Sequence, residues 1–327
     1  MLSFNQIVET IDRLEEANIL LAALEFRIFT HLGKERLSPR TVARRAGTHE
    51  EGTDLLLHAL AAMGALKKRG DRFENTAETY RHFCATSPDY KKGTVRLRRE
   101  NRDEWSSLIQ IIRSGRDLDS FAGGDDPEFR RLFTYAMHER SLRFSGPVAD
   151  CVAAKPVGRL LDLGGGPGSY TAAILKKDRK ATATIFDRPA AIESARKILS
   201  PLSQFSRIRF RKGDIFDLDE SEAYDTVLFS NILHIYNPKE NRQLLRKIWR
   251  ALAKGGRLVL VDLFLKGNRT EPYDAALFSL TMLLFTRTGK TYTFSETEKL
   301  LKAAGYGRLI RRAIGKGSSL IEARKAD

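Results

Sequence analysis

The segment Asp162-Leu163-Gly164-Gly165-Gly166-Pro167-Gly168 sets a carboxylate two residues ahead of a run of glycines. It closes a short apolar stretch, Arg159 to Leu163, and leads into a helical pattern that begins near Tyr170. Glycines at such a turn let a ligand approach the backbone, and the helix start offers free N–H groups. Two more acids end later apolar runs, Asp187 in Thr184-Ile185-Phe186-Asp187 and Asp214 in Gly213-Asp214-Ile215-Phe216. His234, in Ile232-Leu233-His234-Ile235-Tyr236, follows another such run, Asp225 to Phe229. Carboxylates accept hydrogen bonds from hydroxyl, amino and ammonium groups, and an imidazole near neutral pKa can take a proton. The set could bind one polar ligand and deprotonate another.

A glycine loop alone is weak evidence, because dinucleotide sites use one too. Here the third glycine of a G-x-G-x-x-G pattern starting at Gly164 falls on Ser169. Asp162 would also repel a pyrophosphate, whereas it suits a ligand with an ammonium and a sulfonium. S-adenosylmethionine is such a ligand. Asp187 can accept both ribose hydroxyls. Asp214 can accept from the adenine amino group while Ile215 or Phe216 packs on the ring. Any one acid could be a surface or capping residue, but three at successive strand ends fit a ligand at the carboxyl edge of a sheet.

The elements that must hold these residues alternate in period. Apolar runs at Arg159–Leu163, Ala181–Phe186, Ile208–Arg211, Thr226–Phe229 and Arg257–Leu263 are separated by turns and helix-like stretches. That alternation predicts an α/β fold, a parallel sheet with helices on both faces. The end of the chain, Arg308–Ala313, Gly315-Lys316-Gly317 and Ser319–Ala323, reads as a hairpin. The first part is mainly helical. Ile7, Ile11, Leu14, Ala17, Leu21 and Leu24 recur at helical spacing. Ser38-Pro39 starts a helix that Gly47 breaks, and a second helix runs from Glu50 to Met63. Two short strands around Gly70-Asp71 follow, which completes a winged-helix pattern. Such a motif can bind DNA, but Glu50, Glu51 and Asp54 stand where a recognition helix needs basic or amide side chains. Packing or dimerisation suits the motif better. Between Tyr90 and Ala154 the chain reads as helical again, with Phe129, Phe133, Met137, Leu142 and Val148 on or near one apolar face. That face could line a substrate pocket.

The chain has 327 residues and a net charge of +15, with Lys and Arg scattered and densest from Lys91 to Arg102. This reads as a solvated basic surface, with nucleic acid not the expected partner. No apolar run is long enough for a membrane helix, and the first residues lack the uninterrupted apolar stretch of a secretory signal. Cys84 and Cys151 have no metal or redox spacing, which predicts reduced thiols in a cytoplasmic protein without a metal site.

The sequence resembles the Rossmann-like methyltransferases, and most nearly the small-molecule O-methyltransferases with an N-terminal winged-helix dimerisation domain. These include plant phenylpropanoid, hydroxyindole and bacterial polyketide enzymes. The resemblance spans nearly the whole chain. It rests on Asp162 to Gly168, Gly213 to Phe216 and Ile232 to Tyr236, with Leu252-Ala253-Lys254-Gly255-Gly256-Arg257 and Gly289-Lys290-Thr291-Tyr292-Thr293. It implies a seven-stranded sheet with the last strand antiparallel, S-adenosylmethionine as cofactor, and a homodimer. The implied domains are 1–100 for dimerisation, 101–155 for linking and pocket helices, and 156–327 for the cofactor-binding methyltransferase fold. His234 would be the general base. The cofactor set would be Asp162, Gly164, Gly166, Gly168, Asp187, Arg188, Asp214, Ile215, Phe216, Ser230 and Asn231. Phe133, Met137, Leu277, Met282 and Phe285 would wall the pocket of an aromatic or hydrophobic acceptor. Three positions depart from the plant pattern. Ile235 replaces an acid after the histidine, Ser230 replaces a lysine, and Thr291 replaces the acid that helps orient the base. The sequence therefore leaves the orienting group unnamed. It leaves room for a relative that binds the cofactor without transferring methyl, or for a nucleic-acid methyltransferase or regulator.

Overall fold

The computed structural model describes residues 1–100, 104–116, 126–315 and 317–326. Parts of the expected helical stretch (101–103 and 117–125), the end of the Lys91–Arg102 patch and Lys316 of the terminal turn lie outside them. The chain forms two compact units, Met1–Arg102 and Asp103–Asp327.

The first unit carries α1 (Phe4–Glu25), α2 (Ile28–Leu32), α3 (Pro39–Ala46), α4 (Glu50–Ala62), β1 (Leu66–Arg69), β2 (Arg72–Asn75), α5 (Ala77–Phe83) and α6 (Lys92–Glu100). Ser38 caps α3 by accepting from the Thr41 amide, and Pro39 fills the first turn, where no N–H partner is needed. Gly47 closes the helix in the left-handed conformation. β1 and β2 pair antiparallel around Gly70-Asp71. Leu32, Leu57, Leu60 and Phe73 are fully buried among these elements. The stripe read on α1 is only partly covered: Leu24 packs on the core of this unit, whereas Ile11 and Leu14 remain 64% and 63% exposed. Glu50 and Glu51 lie in the first turn of α4, where they favour the helix dipole.

The second unit carries α7 (Leu108–Ser114), α8 (Pro127–Val152), β3 (Arg159–Leu163), α9 (Ser169–Lys177), β4 (Thr182–Asp187), α10 (Pro189–Leu199), β5 (Ile208–Lys212), β6 (Tyr224–Ser230), α11 (Pro238–Ala251), β7 (Leu252–Leu263), α12 (Tyr273–Phe285), α13 (Phe294–Ala303), β8 (Tyr306–Gly315) and β9 (Ser318–Lys325). Among the described residues the strands form one seven-stranded sheet in the order β5-β4-β3-β6-β7-β9-β8. Neighbours from β5 to β7 run parallel, and β9 runs antiparallel to β7 and β8. The inner strands are continuously apolar because helices cover both faces. β7 starts at Leu252 rather than at Arg257, since Leu252 already pairs with Tyr224 before a register shift. Gly255 and Gly256 therefore belong to an irregular strand and not to a connecting loop.

The chain leaves β3 for β4 and β5 on one side and returns to β6 on the other. Such a reversal opens a crevice at the carboxyl end of the central strand, and Asp162 sits there. Farther back, Arg257 and Glu322 form a buried ion pair at 3.2 Å that ties β7 to β9. α8 packs on α9 and α10. Leu132, Ala136, Val148 and Val152 are buried along it, but Leu142 is 47% exposed, against the sequence reading. Leu132 and Val148 stand about 160° apart on a 3.6-residue helix, so the buried side changes along α8, and Leu142 falls on an exposed stretch.

Candidate active site

The glycine turn after β3 is shaped by its neighbours. Gly164 adopts φ +70°, and a Cβ there would lie 2.6 Å from Ile232 Cδ1. Its amide donates to Phe186 O at 2.8 Å, which binds the turn to the end of β4. At Gly166, φ +52°, a Cβ would meet nothing within 4 Å, so open space lies over that residue. The Gly166 amide donates to Asp187 Oδ2 at 2.7 Å, and the Arg188 amide donates to Asp187 Oδ1 at 2.6 Å. Burial raises the Asp187 pKa, and these two N–H groups oppose the rise. Gly168, also at positive φ, caps the start of α9. The next residue, Ser169, meets His138 Nδ1 of α8 at 2.8 Å.

Asp162 is buried beneath this turn. Its Oδ2 accepts from the Thr171 hydroxyl at 2.6 Å, while Oδ1 has no partner among the described residues. Burial pushes its pKa up to about 7, although the Thr171 hydrogen bond pulls the other way. A buried acceptor without a donor costs free energy until a donor arrives, and an ammonium would be one. Asp214, after β5, is half-buried. It accepts from the Phe216 amide at 2.9 Å and faces Arg188 Nη2 at 3.7 Å. Ile215 is buried, and the Phe216 ring meets Tyr236 edge-on at 5.1 Å between centroids. Burial pushes the Tyr236 phenol to about 12. Ser230 ends β6, and Asn231 follows with φ +55°, its amide donating to Val261 O at 2.7 Å. The structure thus gathers Asp162, Gly166, Asp187, Asp214 and Asn231 at one edge of the sheet. The orphaned Asp162 oxygen, the open space at Gly166 and the three acids together fit a nucleoside that carries an ammonium group.

His234 lies in a single helical turn, Leu233–Ile235, just beyond β6. It is buried, and its Nδ1 lies 2.7 Å from Asp262 Oδ1. A carboxylate accepts, so Nδ1 carries a hydrogen, and in the neutral ring the lone pair then sits on Nε2. Asp262 also accepts the Leu263 amide at 2.7 Å, which fixes its carboxylate. The imidazole and the Phe278 ring pack in a T shape, with centroids 4.9 Å apart and planes at 88°. A lone pair at Nε2, an imidazole fixed at Nδ1 and an apolar wall suit proton abstraction from a bound hydroxyl.

The sequence reading missed Asp262, because it lies within the apolar run of β7 and reads as one more strand residue. The usable signal was its place at the carboxyl end of the strand beside the one that leads to His234. Phe278 was missed in favour of Leu277. Phe278, Met282 and Phe285 share one side of α12 at spacings of four and three residues, whereas Leu277 is 47% exposed on another. Phe133 and Met137 are half-buried on α8, and Phe133 stacks on Phe129. Met282 is buried and Phe285 half-buried. Among the described residues no group of metal-binding side chains occurs, and no helix is long and apolar enough to cross a membrane.

A parallel sheet of this order, with one antiparallel strand and acids at the tips of β3 and β4 and just beyond β5, defines the Rossmann-like methyltransferase class. Residues 113–307 match the model of the O-methyltransferase domain, and residues 8–82 match that of the O-methyltransferase dimerisation domain. The chain belongs to the O-methyltransferase family, whose enzymes use S-adenosylmethionine. It is 29% identical over 313 residues to the tetracenomycin polyketide synthesis 8-O-methyl transferase of Streptomyces glaucescens, covering 94% of this chain and 92% of that protein. It is equally identical, 29% over 333 residues, to acetylserotonin O-methyltransferase of Gallus gallus, with 94% of each covered. The solved structure of an O-methyltransferase family protein from Burkholderia thailandensis superposes with a TM-score of 0.88 at 28% identity, covering 100% of this chain and 99% of that one.

Proposed function

We propose that the protein methylates a hydroxyl of a small aromatic acceptor, with His234 as general base and Asp262 as the group that orients it. The observation that carries this reading is the 2.7 Å contact between His234 Nδ1 and Asp262 Oδ1 beside the glycine turn. By their names the relatives above are a polyketide-synthesis 8-O-methyl transferase and an acetylserotonin O-methyltransferase, which supports a small aromatic acceptor methylated at oxygen.

S-adenosylmethionine, when bound, supplies a sulfonium methyl group for in-line displacement. Asp162 would accept from its ammonium, Asp187 from the ribose hydroxyls and Asp214 from the adenine amino group, with Ile215 and Phe216 against the ring. Gly164, Gly166 and Gly168 keep the backbone close, and Arg188, Ser230 and Asn231 complete the rim. The acceptor lies against Phe278, Met282 and Phe285 of α12, with Phe133 and Met137 of α8. His234 Nε2 takes the hydroxyl proton as the oxygen attacks. Asp262 holds the ring through Nδ1 and stabilises the imidazolium that forms. Positioning, proton removal and exclusion of water account for the catalysis, since positive charge disperses during the transfer. Asp262 fills the orienting role that the sequence left without a name.

We further propose a homodimer formed through the first unit, whose α1 leaves Ile11 and Leu14 exposed. Incubation with labelled donor and a panel of phenols tests the activity. Transfer of label to a phenol supports the reading, and donor binding without transfer to any acceptor would instead favour a non-methylating relative. Light scattering tests the assembly, where a monomer mass near 36.9 kDa would count against it.

A further inference from the structure

The turn that carries His234 is gripped from below by two side chains the mechanism has not used. Asn241, in α11, and Tyr292, in the segment that bridges Leu265 to Thr293, are both buried. Asn241 Nδ2 lies 2.8 Å from Leu233 O, 2.9 Å from Tyr236 O and 3.1 Å from Tyr292 Oη. The Tyr292 hydroxyl donates to Tyr236 O at 2.7 Å. An amide has two hydrogens for these three oxygens. The count closes when Asn241 donates to Leu233 O and to Tyr292 Oη, and Tyr292 passes its own hydrogen to Tyr236 O. Each donor in such a chain polarises the next. The two terminal acceptors are backbone carbonyls on either side of His234.

Two further observations set this pair apart from ordinary core packing. Asn241 Oδ1 is buried without a partner among the described residues, so the amide is kept at a cost in stability that an apolar side chain would avoid. The neighbouring loop also presses on the same turn. A Cβ on Gly289 would overlap the His234 carbonyl oxygen, and Glu240 Oε2 accepts both the Asn237 amide at 2.8 Å and the Thr288 hydroxyl at 2.6 Å. Burial holds the Tyr292 phenol well above its usual pKa, so it stays a donor.

We infer that Asn241 and Tyr292 are positioning residues that fix the height and tilt of the His234 turn, so that Nε2 meets the acceptor oxygen. The inference rests on the general-base reading of His234. Tyr292→Phe keeps the ring and removes the hydroxyl, and Asn241→Leu keeps the volume and removes the amide. Each should lower kcat about tenfold or more, since a misplacement near 1 Å can cost up to about a hundredfold. The KM for the phenol and the donor Kd from calorimetry should stay within about twofold, because only the geometry of the base has changed. The double variant should be no worse than the poorer single one, as expected for groups acting in one chain. Hydrogen exchange across residues 232–236 should quicken in both variants while the β3 and β4 segments stay protected. Unchanged kcat in both variants, or donor affinity falling in step with kcat, would overturn the inference. If His234→Ala turns over like the parent, the base reading fails by itself. Exchange then decides whether the turn is held, with faster exchange in both variants supporting the grip and unchanged exchange refuting it.

Discussion

Asp187 Oδ2 accepts the Gly166 amide at 2.7 Å, so the acid that ends β4 also fixes the glycine turn that follows β3. One side chain thereby shapes the loop and, in the proposed function, also holds the ribose of the donor. Replacing it should disturb both. Asp187→Ala should weaken donor binding by about a hundredfold, because the Gly166 and Arg188 amides lose their acceptor and the ribose loses its own, at about 1–3 kcal/mol for each unmade bond. Calorimetry reads this directly. An affinity within threefold of the parent would remove Asp187 from the site.

Donor binding should depend on pH through Asp162. Burial raises its pKa to about 7 from an ordinary 3.8, so between those values the folded, donor-free protein holds a proton that the unfolded chain has lost. Its contribution to stability is therefore full below the unfolded pKa and declines as pH rises through that window. An ammonium beside Oδ1 requires the ionised form. Affinity should fall by about tenfold per unit as pH drops below about 7, and binding should release a proton in that range. Asp162→Asn should flatten the dependence. Titrations in buffers of different ionisation enthalpy that show no proton release would contradict it.

Phe278→Leu should raise the KM for the phenol and lower kcat, together about tenfold in kcat/KM, while leaving the donor Kd unchanged. The T-shaped ring contact with His234, worth about 0.5–1.5 kcal/mol, would be gone. Leu277→Ala on the exposed side of the same helix should change neither parameter. Steady-state kinetics of the pair separates the two sides.

The buried Arg257–Glu322 pair serves the sheet, some five residues of β7 away from Asp262. Arg257→Met should destabilise the protein by about 3 kcal/mol, the low end of the range for orphaning a buried charge, because Lys155 still reaches Glu322. Urea denaturation measures it. Turnover per folded molecule should match the parent, and a loss of turnover would link this end of the sheet to the site.

The acids proposed to hold the donor were the readable part of the site. Asp162 and Asp187 stand at the ends of compact apolar runs and Asp214 just beyond one, and in a parallel sheet the ends of such runs share one edge, so their order along the chain already implies their meeting. Asp262 was hidden because its meaning comes from sheet order. Only the pairing of Ser230 with Val261 brings the end of β7 beside His234. Phe278 was hidden because α12 is apolar on nearly every side, and periodicity cannot choose a face when all faces look alike. The stripe on α1 was legible as a stripe, yet among the described residues Ile11 and Leu14 stay exposed. Leu142 failed because the buried side of α8 changes along the helix, which a single apolar stripe cannot describe.

The proton-transfer proposal meets its most direct test in single-turnover methyl transfer by His234→Ala with saturating donor and the phenol that the parent enzyme methylates. The expected result is a rate lower by about 10²–10⁴, the usual worth of a general base, with donor affinity unchanged. A rate within a few-fold of the parent would contradict it and would leave His234 and Asp262 as a buried structural pair.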